Sequence, residues 1–401
     1  MTSAFITGFG SVLSCGLDVP EIAASFASGR HRWESMQPGP GRVRRRPAEA
    51  VGRVCDEAIR AWLSPIKARR MGRPSRLAVA AASMALTDAG LDEAELDGTA
   101  VVLATSFGPA IYTEKLLHQI FEEEPTAASP ALFTESVANA PAAQIALQRR
   151  ARGPNITITQ REAGPWLALH QARKLLATGR ADRVIVGAVD EVSPVLHDAL
   201  DRFGVLAKGD DPIPRPYDAR RKGFVLAEGA TVLVLEAGSH ETSYGQVVGG
   251  GGAFDPRCSA TGFPPDGELL SRELRASLAS WAGRGVDGVV GGASGSVEGD
   301  RAEAAWIRQT FDSVPTVIAP AGIAGHCGAA LLAGATVLLG GGKVCCPEAT
   351  QMDPELGLLP YTGGDWTIPQ RILGLAVAPG GSAGWVGLER SSGGRSLPEA
   401  S

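Results

Sequence analysis

The sequence predicts an α/β protein: a mainly parallel sheet covered by helices on both faces and laid out as two similar halves. Three observations carry this expectation. Alternating β-branched stretches are interleaved with helix-period stretches along most of the chain. The passage from Asn155–Gln160 into Trp166–Leu176 is strand, tight turn, helix, and Thr316–Ala319 leading to Gly325-His326 echoes it. The strand-into-glycine opening at Phe5–Gly10 restarts at Gln246–Gly252, after a polar break over 237–245. The echoes fit a duplicated βαβαβ layout. Residues 1–240 are expected as the N-terminal half, 241–390 as the C-terminal half, and the small, polar 391–401 as a disordered tail.

In chain order, Ser3–Ser14 reads as a strand running into a glycine-rich loop, and Pro20–Ser28 as a short helix. Residues 29–50, rich in Arg, Pro and Gly, read as an exposed loop. The basic run Lys67–Arg76 precedes the helix Leu77–Ala89, and Ala100–Thr105 is a buried strand. Ser106–Phe121 reads as a loop entering a helix, and Thr134–Gln148 contains another. Asn155–Gln160 alternates β-branched and polar residues, whereas Trp166, Leu169, Ala172 and Leu176 share a helical face. Between them lies the turn Arg161–Pro165. A strand that stops abruptly and feeds a helix exposes a side chain above the unpaired N–H groups of the helix start, as a nucleophile elbow does. The exposed residue here is a carboxylate, Glu162. Further on, Arg183–Val189 and Thr231–Glu236 read as strands, the first continued by Asp190-Glu191.

Composition narrows the classes. A chain of 401 residues exceeds the usual size of one core, so two core units are expected. The 44% hydrophobic content is that of an ordinary globular protein, and 51 glycines point to many tight turns. A net charge of −5 argues against nucleic acid as a partner. No apolar run approaches the ~20 residues that span a bilayer, and the chain opens directly on a strand, so a cytoplasmic protein without signal peptide or membrane partner is expected. The six cysteines form no C-x-x-C pair, which favours reduced thiols; no metal or cofactor is expected.

Several stretches resemble the β-ketoacyl synthases of the thiolase superfamily. Pro214–Ala230 is similar to their R-P-F-D-x-x-R-x-G-F-V-x-G-E-G-A pattern, Lys67–Arg76 to R-R-M-D-R, and Arg183–Glu191 to V-x-x-G-G-A-E. The resemblance covers roughly residues 3–390 and implies the thiolase-like fold, in which two βαβαβ halves form five layers, α-β-α-β-α. Where those enzymes read G-P-N-x-x-x-x-T-A-C-A-S-G, aligning on Gly153-Pro154-Asn155 places Glu162 at the acyl-carrying Cys. Arg161–Pro165 looks more like the E-Q-A-G-G of chain-length factors, the inactive partners of type II polyketide ketosynthases.

Decarboxylative condensation needs a thiolate to hold the chain and two polar donors for the enolate and oxyanion. The resemblance puts Gly292 where the first His of H-G-T-G-T belongs, Ala321 at the usual Lys, and Pro379 at the gating Phe of G-F-G-G. Only His326, in Gly325-His326-Cys327-Gly328-Ala329-Ala330, is retained. No catalytic residue is therefore expected. Glu162 is read as a carboxylate accepting N–H bonds at a helix start, His326 as a turn residue bonded to backbone, and Cys327 as a small buried side chain.

The resemblance implies a chain-length factor: a heterodimer with an active ketosynthase, and a tunnel whose depth is set by Ala110, Thr113 and Leu117, spaced i, i+3, i+7 on one helical face. The arginines 42, 44, 45, 46, 69, 70, 73 and 76 are candidates to receive an acidic acyl carrier protein, against the simpler reading of solvated surface charge. Two alternatives stand beside this. One is an enzyme using the same pocket, either a malonyl-carrier-protein decarboxylase that initiates chains or an acyltransferase. The other is a homodimeric acyl-binding pseudoenzyme.

Overall fold

A computed structural model describes residues 3–36, 50–92, 96–209, 211–238, 240, 242–281 and 285–398. The strands are β1 (Ala4–Leu13), β2 (Glu34–Ser35), β3 (Ala50–Gly52), β4 (Ala100–Ala104), β5 (Asn155–Ile158), β6 (Arg183–Asp190), β7 (Leu226–Ala227), β8 (Gly229–Ala237), β9 (Gly245–Phe254), β10 (Gly288–Gly291), β11 (Thr316–Ile318), β12 (Arg371–Val377) and β13 (Ser382–Arg390). The helices are α1 (Val19–Ser28), α2 (Asp56–Arg60), α3 (Pro65–Ala68), α4 (Arg73–Asp88), α5 (Ala110–Glu122), α6 (Pro130–Ser136), α7 (Ala140–Arg149), α8 (Gly164–Ala177), α9 (Pro194–Arg202), α10 (Glu268–Ala279), α11 (Val297–Thr310), α12 (Ala321–Ala324) and α13 (Gly328–Leu339).

Among the described residues the main sheet has ten strands, ordered β11-β10-β12-β13-β9-β1-β8-β6-β4-β5. From its centre outward, β1-β8-β6-β4-β5 and β9-β13-β12-β10-β11 repeat one topology. They join where Ala4–Ile6 pairs with Gly245–Val247. The sheet is mixed rather than mainly parallel. β4 runs parallel to β5 and β6, and β10 to β11 and β12. The closing strands β8 and β13 run against both neighbours. Alternation of strand and helix in a sequence reports the crossovers that make parallel pairs and is blind to a closing strand's direction.

Helices α4 and α7 cover the outside of the first half-sheet, and α10 and α11 the outside of the second. Between the halves lie α8 and α13, which touch each other and strands of both. The result is the five-layer thiolase-like arrangement. α13 is apolar on every side and buried throughout, as a helix between two half-sheets must be. Close approach demands glycine at two places. A Cβ at Gly10 would lie 2.2 Å from Ala81 O of α4, and one at Gly374 of β12 would lie 2.4 Å from the buried Trp166 ring of α8.

The tail departs from expectation. Residues 391–398 are held against the body: Arg395 donates to Thr7 O at 2.9 Å and pairs with Asp88 at 3.3 Å, and Leu397 lies over Gly340 and Gly342. One arginine and one leucine anchor a segment whose composition alone reads as disordered. Residues 399–401 lie outside the described residues, as do Arg42, Arg44, Arg45 and Arg46. No helix among the described residues is long and apolar enough to cross a membrane.

Candidate functional site

The elbow forms where β5 ends. Arg161 takes a left-handed backbone (φ 45°), rare outside glycine, with its guanidinium 5.3 Å above the Phe107 ring. A 3-10 turn over Arg161–Ala163 then delivers α8, which begins at Gly164 rather than Trp166 because Pro165 suits the first helical turn. Glu162 projects from this turn toward the Gly325-His326 turn between α12 and α13. Gly325 (φ 83°) sits so close to Ala227 that a Cβ would approach its methyl to 2.5 Å, and His326 N–H donates to Val225 O at 2.8 Å.

The two side chains meet. Glu162 Oε1 is 3.1 Å from His326 Nε2, with 17% and 9% of the side chains exposed. The other ring nitrogen, Nδ1, is 3.1 Å from Ser294 Oγ, and Phe224 stacks on the ring at 4.1 Å. Burial alone would raise the Glu162 carboxyl. The hydrogen bond and charge of His326, the residue's own backbone N–H and Arg161 outweigh it, and the carboxyl is held below its ordinary value. With Glu162 ionised, Nε2 carries a proton and donates it. The expectations for both residues are corrected: Glu162 is fixed chiefly by a histidine, and the histidine ring is bonded to two side chains rather than to backbone. The second oxygen, Oε2, has no partner among the described residues.

Around the pair is a cavity of about 10 Å³, lined by Ser106, Glu162, Gly292, Ala321, His326, Cys327, Gly328 and Leu331. That volume holds one water at most. The fold thus brings together Glu162, Gly292, Ala321 and His326. Pro379, in the turn between β12 and β13, is not part of the lining. Gly292 is locked by its backbone: its N–H donates to Glu303 Oε2 at 3.0 Å, and a Cβ would stand 2.6 Å from Ala376 Cβ. Cys327 is buried, and burial followed by the Asp190 charge pushes its thiol well up, so it is no thiolate.

Beneath the cavity, Asp300 accepts N–H bonds from Tyr217 (2.9 Å), Ser294 (3.1 Å) and Gly295 (3.1 Å). Glu303 accepts from Gly292 and Ala293, both at 3.0 Å, and from the Tyr217 hydroxyl. These acids fix the loop that carries Ser294. The sequence assigns no role to Asp300, Ser294, Phe224 or Glu303, because the contacts that give them one form only in the fold.

The candidate tunnel residues stand apart from the cavity. Helix α5 has no buried residue, Leu117 is 44% exposed, and the Thr113 hydroxyl donates to Pro109 O and Ser136 O. Phe121, Phe133 and Leu147, on α5, α6 and α7, are also exposed. Arg69 and Arg70 are surface residues, whereas Arg73 is an internal ion-pair partner, 2.7 Å from the fully buried Glu228.

A doubled half-sheet whose central helices bring an elbow side chain onto a Gly-His turn defines a thiolase-like condensing-enzyme scaffold. A family model described as Beta-ketoacyl synthase, N-terminal domain, matches residues 2–241. The chain is 30% identical over 285 residues to the tetracenomycin polyketide synthase ketoacyl synthase alpha subunit of Streptomyces glaucescens, covering 65% of this chain and 66% of that protein. Among solved structures, "The ishigamide ketosynthase/chain length factor" superposes with a TM-score of 0.84 at 26% identity, over 97% of this chain and 99% of that one. A β-ketoacyl synthase from Burkholderia phymatum superposes at 0.86 with 23% identity, over 97% and 100%. The chain belongs to the β-ketoacyl synthase family.

Proposed function

We propose that this chain is the non-catalytic, chain-length-setting subunit of a type II polyketide ketosynthase, working in a heterodimer with an active ketosynthase that receives acyl carrier protein. The observation that carries the reading is the carboxylate at the elbow, bonded to the one histidine kept there, beside a cavity too small for an acyl thioester. Chemistry at this centre would need a thiolate and a second donor, and Gly292 leaves no space for the latter. The partner surface is supported by β5, an edge strand with one side of its ladder unpaired among the described residues, and by the exposed Leu117, Phe121, Phe133 and Leu147 on α5, α6 and α7, of which α7 packs against β5. In this reading α5 is covered by the partner, and Ala110, Thr113 and Leu117 line the tunnel between the subunits. Residues 1–240 and 241–390 serve as its two ketosynthase-like halves.

The test is co-expression with an active type II polyketide ketosynthase from the same organism. A stable one-to-one complex that extends chains, with no extension by this chain alone, is the expected result. Extension by the isolated chain overturns the reading. A second reading, decarboxylation of malonyl carrier protein, draws on the Glu162–His326 pair; turnover by the isolated chain that is lost in Glu162→Ala would favour it.

A further inference from the structure

The buried face of α9 consists of His197 and Leu200, one turn apart. Leu200 belongs to an apolar cluster with Met36, Val192, Leu206 and Phe224, edged by Phe107. His197 is 1% exposed, and neither ring nitrogen has a hydrogen-bond partner among the described residues. Burial first, and the Arg53 charge after it, hold the ring below its ordinary pKa against the pull of Asp198 and Asp201. A neutral imidazole carries one donor and one acceptor, and both are unpaired here. An apolar residue of similar size would avoid that cost, so a buried and unsatisfied histidine calls for a partner that comes from elsewhere.

The cluster beside His197 reaches the elbow. Phe224 stacks on His326, and Phe107 lies under Arg161. Two more buried oxygens without partners sit along the same border, Glu162 Oε2 and Glu191 Oε2. Glu191 precedes Val192 of the cluster, and its other oxygen accepts the Ile111 N–H of α5, the helix against which α9 packs. Unpaired polar atoms therefore belong to residues that border one buried apolar cluster between the elbow, α5 and α9.

We propose that His197 is a specificity residue for the acyl chain, bonding a keto or hydroxyl oxygen of a chain that runs along the inner face of α9, so that an oxygen-bearing chain is taken in preference to a hydrocarbon one. The proposal rests on the chain-length reading and adds the class of chain. A methylene chain would satisfy the cluster and leave the imidazole unpaired. An oxygenated chain satisfies both.

The test measures binding of two probes by the full chain as purified with its ketosynthase: a decanoyl pantetheine amide, and a counterpart bearing hydroxyls on alternate carbons. Wild type is expected to bind the hydroxylated probe about fivefold tighter, the scale of one net hydrogen bond. His197→Leu should bring the ratio to about one while melting no lower than wild type, since it replaces an unsatisfied polar group. His197→Gln should keep part of the preference. A ratio unchanged in His197→Leu, or equal binding of both probes by wild type, overturns the proposal and leaves the chain-length reading standing. Binding of neither probe overturns both. Should His197→Leu fail to fold, the wild-type ratio and His197→Gln decide.

Discussion

Glu162 Oε1 lies 3.1 Å from His326 Nε2, which joins the elbow of one half to the Gly-His turn of the other. The resemblance puts an acyl-carrying Cys and a polar His donor at these two positions; here a carboxylate and a histidine face each other. The histidine proton that would polarise a carbonyl is already donated, and Ser294 engages the far nitrogen.

Removing the carboxylate tests the pair. Glu162→Ala should destabilise the fold by about 1–3 kcal/mol, the worth of a hydrogen bond to a charged group that one water can partly replace. Because the folded-state pKa of Glu162 lies below its ordinary value of 4.5, the pair's contribution is present above that value and fades as pH falls through the folded one. Urea midpoints should therefore differ between wild type and Glu162→Gln at pH 7, and converge on acidification well below pH 4.5. A gap that stays constant with pH would show that the pair adds nothing electrostatic.

Rebuilding the catalytic set should fail at Gly292. A side chain there meets Ala376 Cβ at 2.6 Å and displaces the Glu303 bond, so Gly292→His should cost about 1–3 kcal/mol by overpacking. The double variant Glu162→Cys, Gly292→His should melt lower than wild type and condense nothing alone in a radiolabelled malonyl assay. Measurable condensation would mean that the cavity opens more readily than its packing allows.

The position of Glu162 was legible because an abrupt switch from period two to helical period marks an elbow whatever residue occupies it. The two-halved plan was legible for a similar reason, since strands β1 and β9 each pass from apolar residues into glycines. The partner of Glu162 was not. His326 reaches it only once α8 and α13 are sandwiched between the two half-sheets, and no local pattern encodes that distance. The directions of β8 and β13 and the anchoring of Arg395 and Leu397 were hidden for the same reason.

Helix α5 should respond in product length rather than in stability. Ala110→Phe and Leu117→Trp lie on a helix with no buried residue, so each should change stability by no more than about 0.5 kcal/mol. In the complex with the ketosynthase both should shorten the products seen by mass spectrometry. Unchanged lengths with intact assembly would remove α5 from the tunnel.

Tyr217 offers a test of the loop beneath the site. It is fully buried and holds a left-handed backbone (φ 60°), a strained state for a bulky residue. Its hydroxyl donates to Glu303, where the family resemblance has a phenylalanine that could not. Burial pushes the Glu303 carboxyl up to about 8, and the Tyr217 hydroxyl is the foremost influence opposing that rise. A raised folded-state value means that the folded chain binds the proton more tightly, so stability is greatest below the ordinary value of 4.5 and declines as pH climbs to about 8. Without the hydroxyl the carboxyl rises further and the decline extends to higher pH. Tyr217→Phe should therefore lose about 1 kcal/mol at pH 6 and visibly more at pH 9, read as the gap between urea midpoints. A gap that narrows toward pH 9 would mean that Glu303 is ionised throughout, with the backbone N–H groups of Gly292 and Ala293 sufficient to hold its charge.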